Sequence, residues 1–259
     1  MRVSIILKFL IVLMIVIFFS ACGRKKNNYE LADLSDKVFG VPSGTIADVL
    51  VKNIFPDAEI LYFESVSQAV NALRAGKVDA VAYDEPVLRN IVAKSSGLRI
   101  LDELISYDFY GLAVRLDNVE LKNDIDKILD FLKKTGIYDD MLRRWLPEQG
   151  APQKMPTFDL IPQNGILRFG TASVVEPFSF YDESGTPTGF DIELAYRIAE
   201  ELGMGLEITN MQFGALIPSL LVNRVDMIGS CITITDERAN SVLFSAPYYI
   251  GGIATMVRD

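Results

Sequence analysis

The sequence predicts an α/β protein of two similar lobes, each a small, largely parallel sheet flanked by helices. Three observations carry this: a dense alternation of strand-like and helix-like segments, a proline-rich interruption at 147–165, and an internal echo shared by the two halves. Short apolar runs alternating with segments of helical spacing are the pattern of α/β units.

In the first half, 37–41 (KVFGV) reads as a strand and is followed by the turn residues 42–45 (PSGT). Helical spacing covers 46–54, a strand 60–63, and a helix 66–73 that stops near Gly76. A buried strand at 78–83 leads to Pro86, which opens a helix to about Lys94. A strand at 110–115 precedes amphipathic helices at 121–132 and 138–146. Residues 147–165 hold four prolines, which exclude a regular helix. They read as a surface linker that spans at most roughly 60 Å at about 3.3 Å per residue. The second half resumes with strands at 166–170, 206–208, 225–228 and 253–257. Helices fall at 190–202 and 215–221.

The echo aligns 72–79 (ALRAGKVD) with 219–226 (SLLVNRVD): a helix end, a basic turn, then a strand. Ligands of open α/β sheets sit beyond the carboxyl ends of strands. The polar tips Tyr83-Asp84-Glu85 and Gly229–Thr233 are therefore expected to face each other across two lobes.

Arg2 and Lys8 precede an uninterrupted apolar run at 9–19, and residues 19–22 read Phe-Ser-Ala-Cys. Eleven residues at about 1.5 Å each are too short to span a bilayer, so this is a signal-peptide shape. Its end resembles a bacterial lipobox, which makes Cys22 the lipidation site and 1–22 the removed leader. Residues 23–36 follow as a tether. Cys231 is then left as a free, buried thiol. The 259 residues contain no histidine, which excludes Ser-His and Cys-His triads and His-ligated metals. The net charge is −9; taking away the two cations of 1–22 leaves −11 for the remainder. Such acidity, without a basic stripe, argues against a nucleic-acid partner.

Several spaced motifs resemble the family 3 bacterial extracellular solute-binding proteins: Gly189–Ala195 (GFDIELA), Thr233–Arg238 (TITDER) and Phe244–Tyr249 (FSAPYY). Gly40–Thr45 (GVPSGT), Val78–Pro86 (VDAVAYDEP) and Gly136–Asp139 (GIYD) add to them. The resemblance implies a type II periplasmic-binding-protein-like fold and capture of an amino acid or similar solute for an ABC importer's permease. It implies no enzyme activity, cofactor or metal. An exported, lipid-anchored monomer in the periplasm or at the cell surface is expected. The motif order is changed. Residues 37–108 match the family's second lobe, 109–146 a hinge strand and the helices returning to the other lobe, and 166–259 the first lobe, ending in a hinge strand. The chain thus reads as circularly permuted, with 147–165 joining the old termini and with 110–115 and 253–257 side by side as the hinge. The rival arrangements are a fragment of a tandem array, or lobes that pair between two chains.

Arg238 follows a good helix start, Thr235-Asp236-Glu237. A cation in that first turn is opposed by the helix dipole and calls for a specific anion. With Pro86 as the first helical residue and Glu85 as the cap, Asp84 is left just outside the helix. The resemblance gives Arg238 the ligand carboxylate and Asp84 the ligand ammonium. It also implies contacts from Thr233, from the backbone around Ser230, from Cys231 beside the pocket, from Phe213 stacking on the ligand side chain, and from the turn at Gly44 and Thr45. Ala172 and Val175 stand where such receptors often carry an acid and a tyrosine, which argues against a cationic ligand side chain; Ile46 replaces a common threonine. Glu176 adds a carboxylate at the rim with no obvious partner. Two alternatives stay open: a sensory or regulatory module on this fold, and a dehydratase-like enzyme with Glu176 or Glu85 as proton donor.

Overall fold

The computed structural model describes residues 29–147 and 153–259. The proposed leader, Cys22 and residues 23–28 of the tether lie outside the described residues, as do positions 148–152 of the linker. The expected tether ends earlier than 36, because Leu31–Leu34 form a short 3-10 helix whose Leu31 and Leu34 are buried in the N-terminal lobe's core.

In the N-terminal lobe, β1 (Val38–Pro42), α1 (Ala47–Ile54), β2 (Glu59–Phe63), α2 (Val66–Arg74), β3 (Ala80–Asp84), α3 (Glu85–Ala93) and β4 (Leu98–Ile100) follow in order. β1 lies parallel to β2 and β3. The chain then crosses through β5 (Asp108–Tyr110) and β6 (Ala113–Arg115) to α4 (Val119–Lys134) and α5 (Ile137–Trp145). The C-terminal lobe contains β7 (Ile166–Thr171), the short pair β8 (Phe180–Tyr181) and β9 (Pro187–Thr188), α6 (Phe190–Glu201) and β10 (Gly205–Asn210). The chain continues with α7 (Leu216–Leu221), β11 (Met227–Ile228), α8 (Asp236–Ala239) and β12 (Val242–Phe244) in this lobe, then crosses back through β13 (Tyr249–Gly251) to β14 (Ile253–Arg258).

The two principal sheets have the same order. One runs β2-β1-β3-β14-β4 and the other β10-β7-β11-β6-β12. In each, three parallel strands are followed by an antiparallel strand from the opposite half of the chain: β14 enters the N-terminal sheet and β6 the C-terminal sheet. Each lobe is therefore completed by the other half.

The expected strand at 110–115 is two strands, broken at Gly111 and Leu112. A Cβ on Gly111 would meet Ile234 Cδ1 at 2.9 Å, so the backbone turns there under close packing. The expected side-by-side pairing of 110–115 with 253–257 does not form. The paired crossing strands are β5 and β13, Tyr110 against Tyr249 and Asp108 against Gly251. Beyond them β6 and β14 diverge into separate sheets, because each carries the buried pattern of a central strand.

The echo is a structural unit. Asp79 Oδ2 accepts from Val38 N at 3.1 Å and Asp226 Oδ2 from Arg168 N at 3.0 Å, while each aspartate amide donates to the same residue's carbonyl at 2.8 Å. The aspartate ending each echo thus clips the third strand to the first. This saturates backbone groups at the sheet's start and aims the opposite ends at the cleft.

The returning helices pack on the C-terminal lobe. Glu193, fully buried on α6, accepts from Arg144 Nη1 at 3.0 Å, Trp145 Nε1 at 2.7 Å and Arg197 Nη2 at 3.1 Å. The described linker residues 153–165 stay on this lobe. Phe158 stacks on Tyr196 at 4.9 Å, and the amides of Gln163 and Asn164 both donate to the Gly203 carbonyl. Between the lobes, Tyr110, Phe178, Phe190 and Tyr248 form a chain of ring contacts at 5.9–6.0 Å that continues the core through the hinge.

Candidate functional site

β3 and β11 end facing the interlobe cleft, so the segments after them supply the site. Asp84 is the last residue of β3 and is 6% exposed. It precedes α3, which begins at Glu85 rather than Pro86, yet its side chain makes no capping hydrogen bond. Instead Asp84 Oδ1 accepts from the Tyr110 hydroxyl at 2.6 Å. Burial is the largest influence on its carboxyl and pushes the pKa up to about 7; the Asp108 carboxylate raises it further, while Tyr110 and the Arg238 charge pull it down.

Arg238 comes from α8 in the other lobe. Thr235 caps that helix by accepting from Arg238 N at 3.2 Å. The guanidinium turns back into the cleft, where Nη1 donates to Thr233 O at 2.9 Å and Nη2 to Gly44 O at 3.2 Å. The second bond crosses from one lobe to the other. The guanidinium also lies 5.6 Å from the Phe213 ring centroid, a cation–π contact. Burial lowers its pKa, and the negative charges of Asp84 and then Glu237 oppose that shift. Arg238 and Asp84 thus stand close enough for each to favour the other's charged form.

Gly44, at φ +80°, brings the N-terminal lobe's turn against the other lobe: a Cβ there would meet Gly214 Cα at 3.4 Å and Phe213 Cδ1 at 3.9 Å. Phe213 is half-buried: it packs against the core of the C-terminal lobe and also reaches this contact. Beside it a cavity of about 250 Å³ is walled by Thr45, Glu64 and Tyr83 from one lobe and by Val175, Asn210 and Phe213 from the other.

The remaining candidates are placed less directly. The Thr45 hydroxyl donates to Pro42 O at 2.9 Å, within its own turn. The Ser230 hydroxyl donates to Ala172 O at 3.3 Å and is buried, which leaves its backbone as the group at the strand tip. Thr233 is buried and bridges Tyr110. Cys231 is a buried free thiol in a left-handed conformation, φ 50°. Its amide donates to Asp191 Oδ2 at 3.0 Å, and burial pushes its thiol pKa well up.

Glu176 does have a partner: it accepts from Lys94 of the opposite lobe. Glu85 is bonded by Arg89 one helical turn on, Nε to Oε1 at 2.8 Å. Among the described residues, no cluster of acids and cysteines is arranged to hold a metal ion, and no helix is long and apolar enough to cross a membrane.

Sequence reasoning missed three contributors. Tyr110 reads as an ordinary strand residue, but its hydroxyl holds Asp84. Asp191 sits in the first turn of α6, where an acid suits the helix dipole; its carboxyl, raised to about 6 by burial, instead orders the tip at Cys231. Lys94 ends a helix, where a cation is unremarked, and only the lobe arrangement brings Glu176 to it.

Two α/β lobes, joined by a pair of crossing strands and facing each other with polar strand tips, define a type II periplasmic-binding-protein-like fold. The chain resembles the bacterial extracellular solute-binding proteins, family 3, whose sequence profile matches residues 167–259. It is 34% identical over 98 residues to the L-cystine-binding protein TcyJ of Escherichia coli, covering 38% of this chain and 37% of that protein. It is 36% identical over 94 residues to a cyclohexadienyl dehydratase of Pseudomonas aeruginosa, covering 36% and 35%. The structure of holo ArgBP from T. maritima shares 48% sequence identity, covering 33% of this chain and 38% of that one, with a TM-score of 0.33. The chain spans little more than a third of the length of the curated relatives it matches.

Proposed function

We propose that this chain is an exported, lipid-anchored receptor that closes its two lobes over a small zwitterionic solute, an amino acid in the first instance, and presents it to the permease of an ABC importer. The observation that carries this reading is the cross-cleft bond from Arg238 to the Gly44 carbonyl, with buried Asp84 of the opposite lobe beside it. A ligand carboxylate is a stronger acceptor for a guanidinium than a neutral carbonyl. It would replace Gly44 O on Arg238, while the ammonium meets Asp84. A solute touching both lobes favours the closed state, which is the only way binding shifts that equilibrium.

The amino-acid-binding relatives support the solute class. The matching strand order of the two sheets, each completed from the opposite half, supports a permuted single chain. The dehydratase relative keeps an enzyme reading in view. Against it, Glu176 and Glu85 are both engaged by cations rather than directed at a substrate.

A thermal-shift screen against amino acids and related solutes identifies the ligand; at 100 times Kd, binding stabilises by about 2.7 kcal/mol. Calorimetry on Arg238→Ala then tests the site. Truncating one member of a desolvated charge pair costs on the order of 2–5 kcal/mol, about 30-fold to several-thousand-fold in affinity. Binding within about twofold of the parent would place the site elsewhere, and turnover of the solute would favour the enzyme reading.

A further inference from the structure

A second cavity, of about 440 Å³, adjoins the first along the same interlobe cleft; Val66 and Val174 line both. Its charged side chains are Arg74 and Lys94 from the N-terminal lobe and Glu176 from the C-terminal lobe. Lys94 and Glu176 form an ion pair across the cleft with side chains 49% and 31% exposed. An ion pair this open contributes little as a latch. Its members can exchange each other for ligand charges at small cost. Arg74 donates to Ser95 Oγ at 2.6 Å and forms no ion pair with a carboxylate among the described residues, so the cavity holds one cation more than its acid neutralises.

The charge pattern reverses that of the Arg238–Asp84 pair, which adjoins the first cavity through its wall residues Phe213 and Tyr83; the charged side chain lining that cavity itself is Glu64 of the N-terminal lobe. In the pair the acid, Asp84, comes from the N-terminal lobe and the cation, Arg238, from the C-terminal lobe. In the second cavity the cations come from the N-terminal lobe and the acid from the C-terminal lobe. Between the two, the shared walls are the apolar Val66 and Val174. A single amino acid satisfies only one end of such a cleft. A solute with a cationic far end would meet Glu176 but face Lys94 and Arg74 as well.

We propose that the cleft accepts an elongated bis(amino acid), with a zwitterionic group at each end and an uncharged spacer between. This rests on the receptor reading above. One end lies between Arg238 and Asp84. At the other, the carboxylate takes Lys94 and Arg74 and the ammonium takes Glu176, while the spacer crosses Val66 and Val174. Both lobes then touch both ends, so the second zwitterion adds affinity for the closed state that a single amino acid cannot supply.

Titration calorimetry on the full chain tests this with matched probes. L-Cystine is compared with S-methyl-L-cysteine, and meso-2,6-diaminopimelate with L-norleucine. At least one bis(amino acid) is expected to bind tenfold or more tightly than its single counterpart. Lys94→Met and Glu176→Gln are each expected to bring that ratio close to one, with melting curves establishing that both variants are folded. Equal affinity for double and single probes overturns the proposal. So does a loss in both variants that is the same for double and single probes, since that marks the pair as a closing latch. If Arg238→Ala abolishes binding while the Lys94 and Glu176 variants leave the ratio intact, the second site is refuted and the receptor reading stands. If no amino acid or bis(amino acid) binds the parent, both fall.

Discussion

The sharpest consequence of the site is a pH dependence centred on Asp84, in a chain with no histidine to supply one. Its carboxyl is held at about 7, against 3.8 for the free side chain, chiefly by burial. The groups facing it are the Tyr110 hydroxyl, the Asp108 carboxylate, Arg238 and the Cys231 thiol. An ammonium group needs the ionised carboxylate, so apparent affinity is expected to fall about tenfold for each pH unit below 7. Between pH 8 and pH 5 that is roughly a hundredfold, or about 2.7 kcal/mol. Ligand-free stability moves the opposite way. The folded state holds a proton on Asp84 that the unfolded chain has released, so stability falls as pH rises from about 4 to about 7, by at most about 1.4 kcal/mol per unit. Asp191, raised to about 6, adds a slope of the same sign. Asp84→Asn keeps an oxygen for Tyr110 but cannot ionise. Calorimetry from pH 5 to 8 should show weaker binding with a flat profile, and denaturant melts should show a shallower stability slope. An Asp84→Asn protein whose affinity still falls a hundredfold toward pH 5 would refute this account.

Three further outcomes are expected. Glu193→Ala removes the acceptor of Arg144, Arg197 and Trp145 and should cost about 3–5 kcal/mol in urea unfolding, as breaking a buried ion pair does; a loss below about 1 kcal/mol would show that α5 is held by packing alone. Gly252→Ala places a Cβ 2.1 Å from the Ser106 carbonyl oxygen, beside the Glu85 N to Gly252 O bond, and should destabilise the hinge by about 2–3 kcal/mol, read as a lowered Tm. Cys22→Ser should release the protein from membranes or leave it unprocessed; unchanged membrane association on fractionation would remove the lipid anchor from the proposal.

Periodicity in the sequence records which face of a segment is buried, and that was enough for most elements. It located the helices, the paired echoes and the strands that end at the cleft. Local electrostatics also singled out Arg238, a cation misplaced in a helix's first turn, and Asp84, an acid that the helix after it does not use as a cap. Pairing over distance leaves no such local mark. The run 110–115 is uniform in character, and only the crowding of Ile234 against Gly111 divides it into one strand for the hinge and one for the far sheet. The exchange of β6 and β14 between the lobes is set by which sheet has an open central position, a property of the assembled sheets. Tyr110 holds Asp84, and Lys94 meets Glu176, across 26 and 82 positions of chain. Those contacts, and the burial that moves Asp84 to about 7, exist only once two lobes face each other and exclude water from between them.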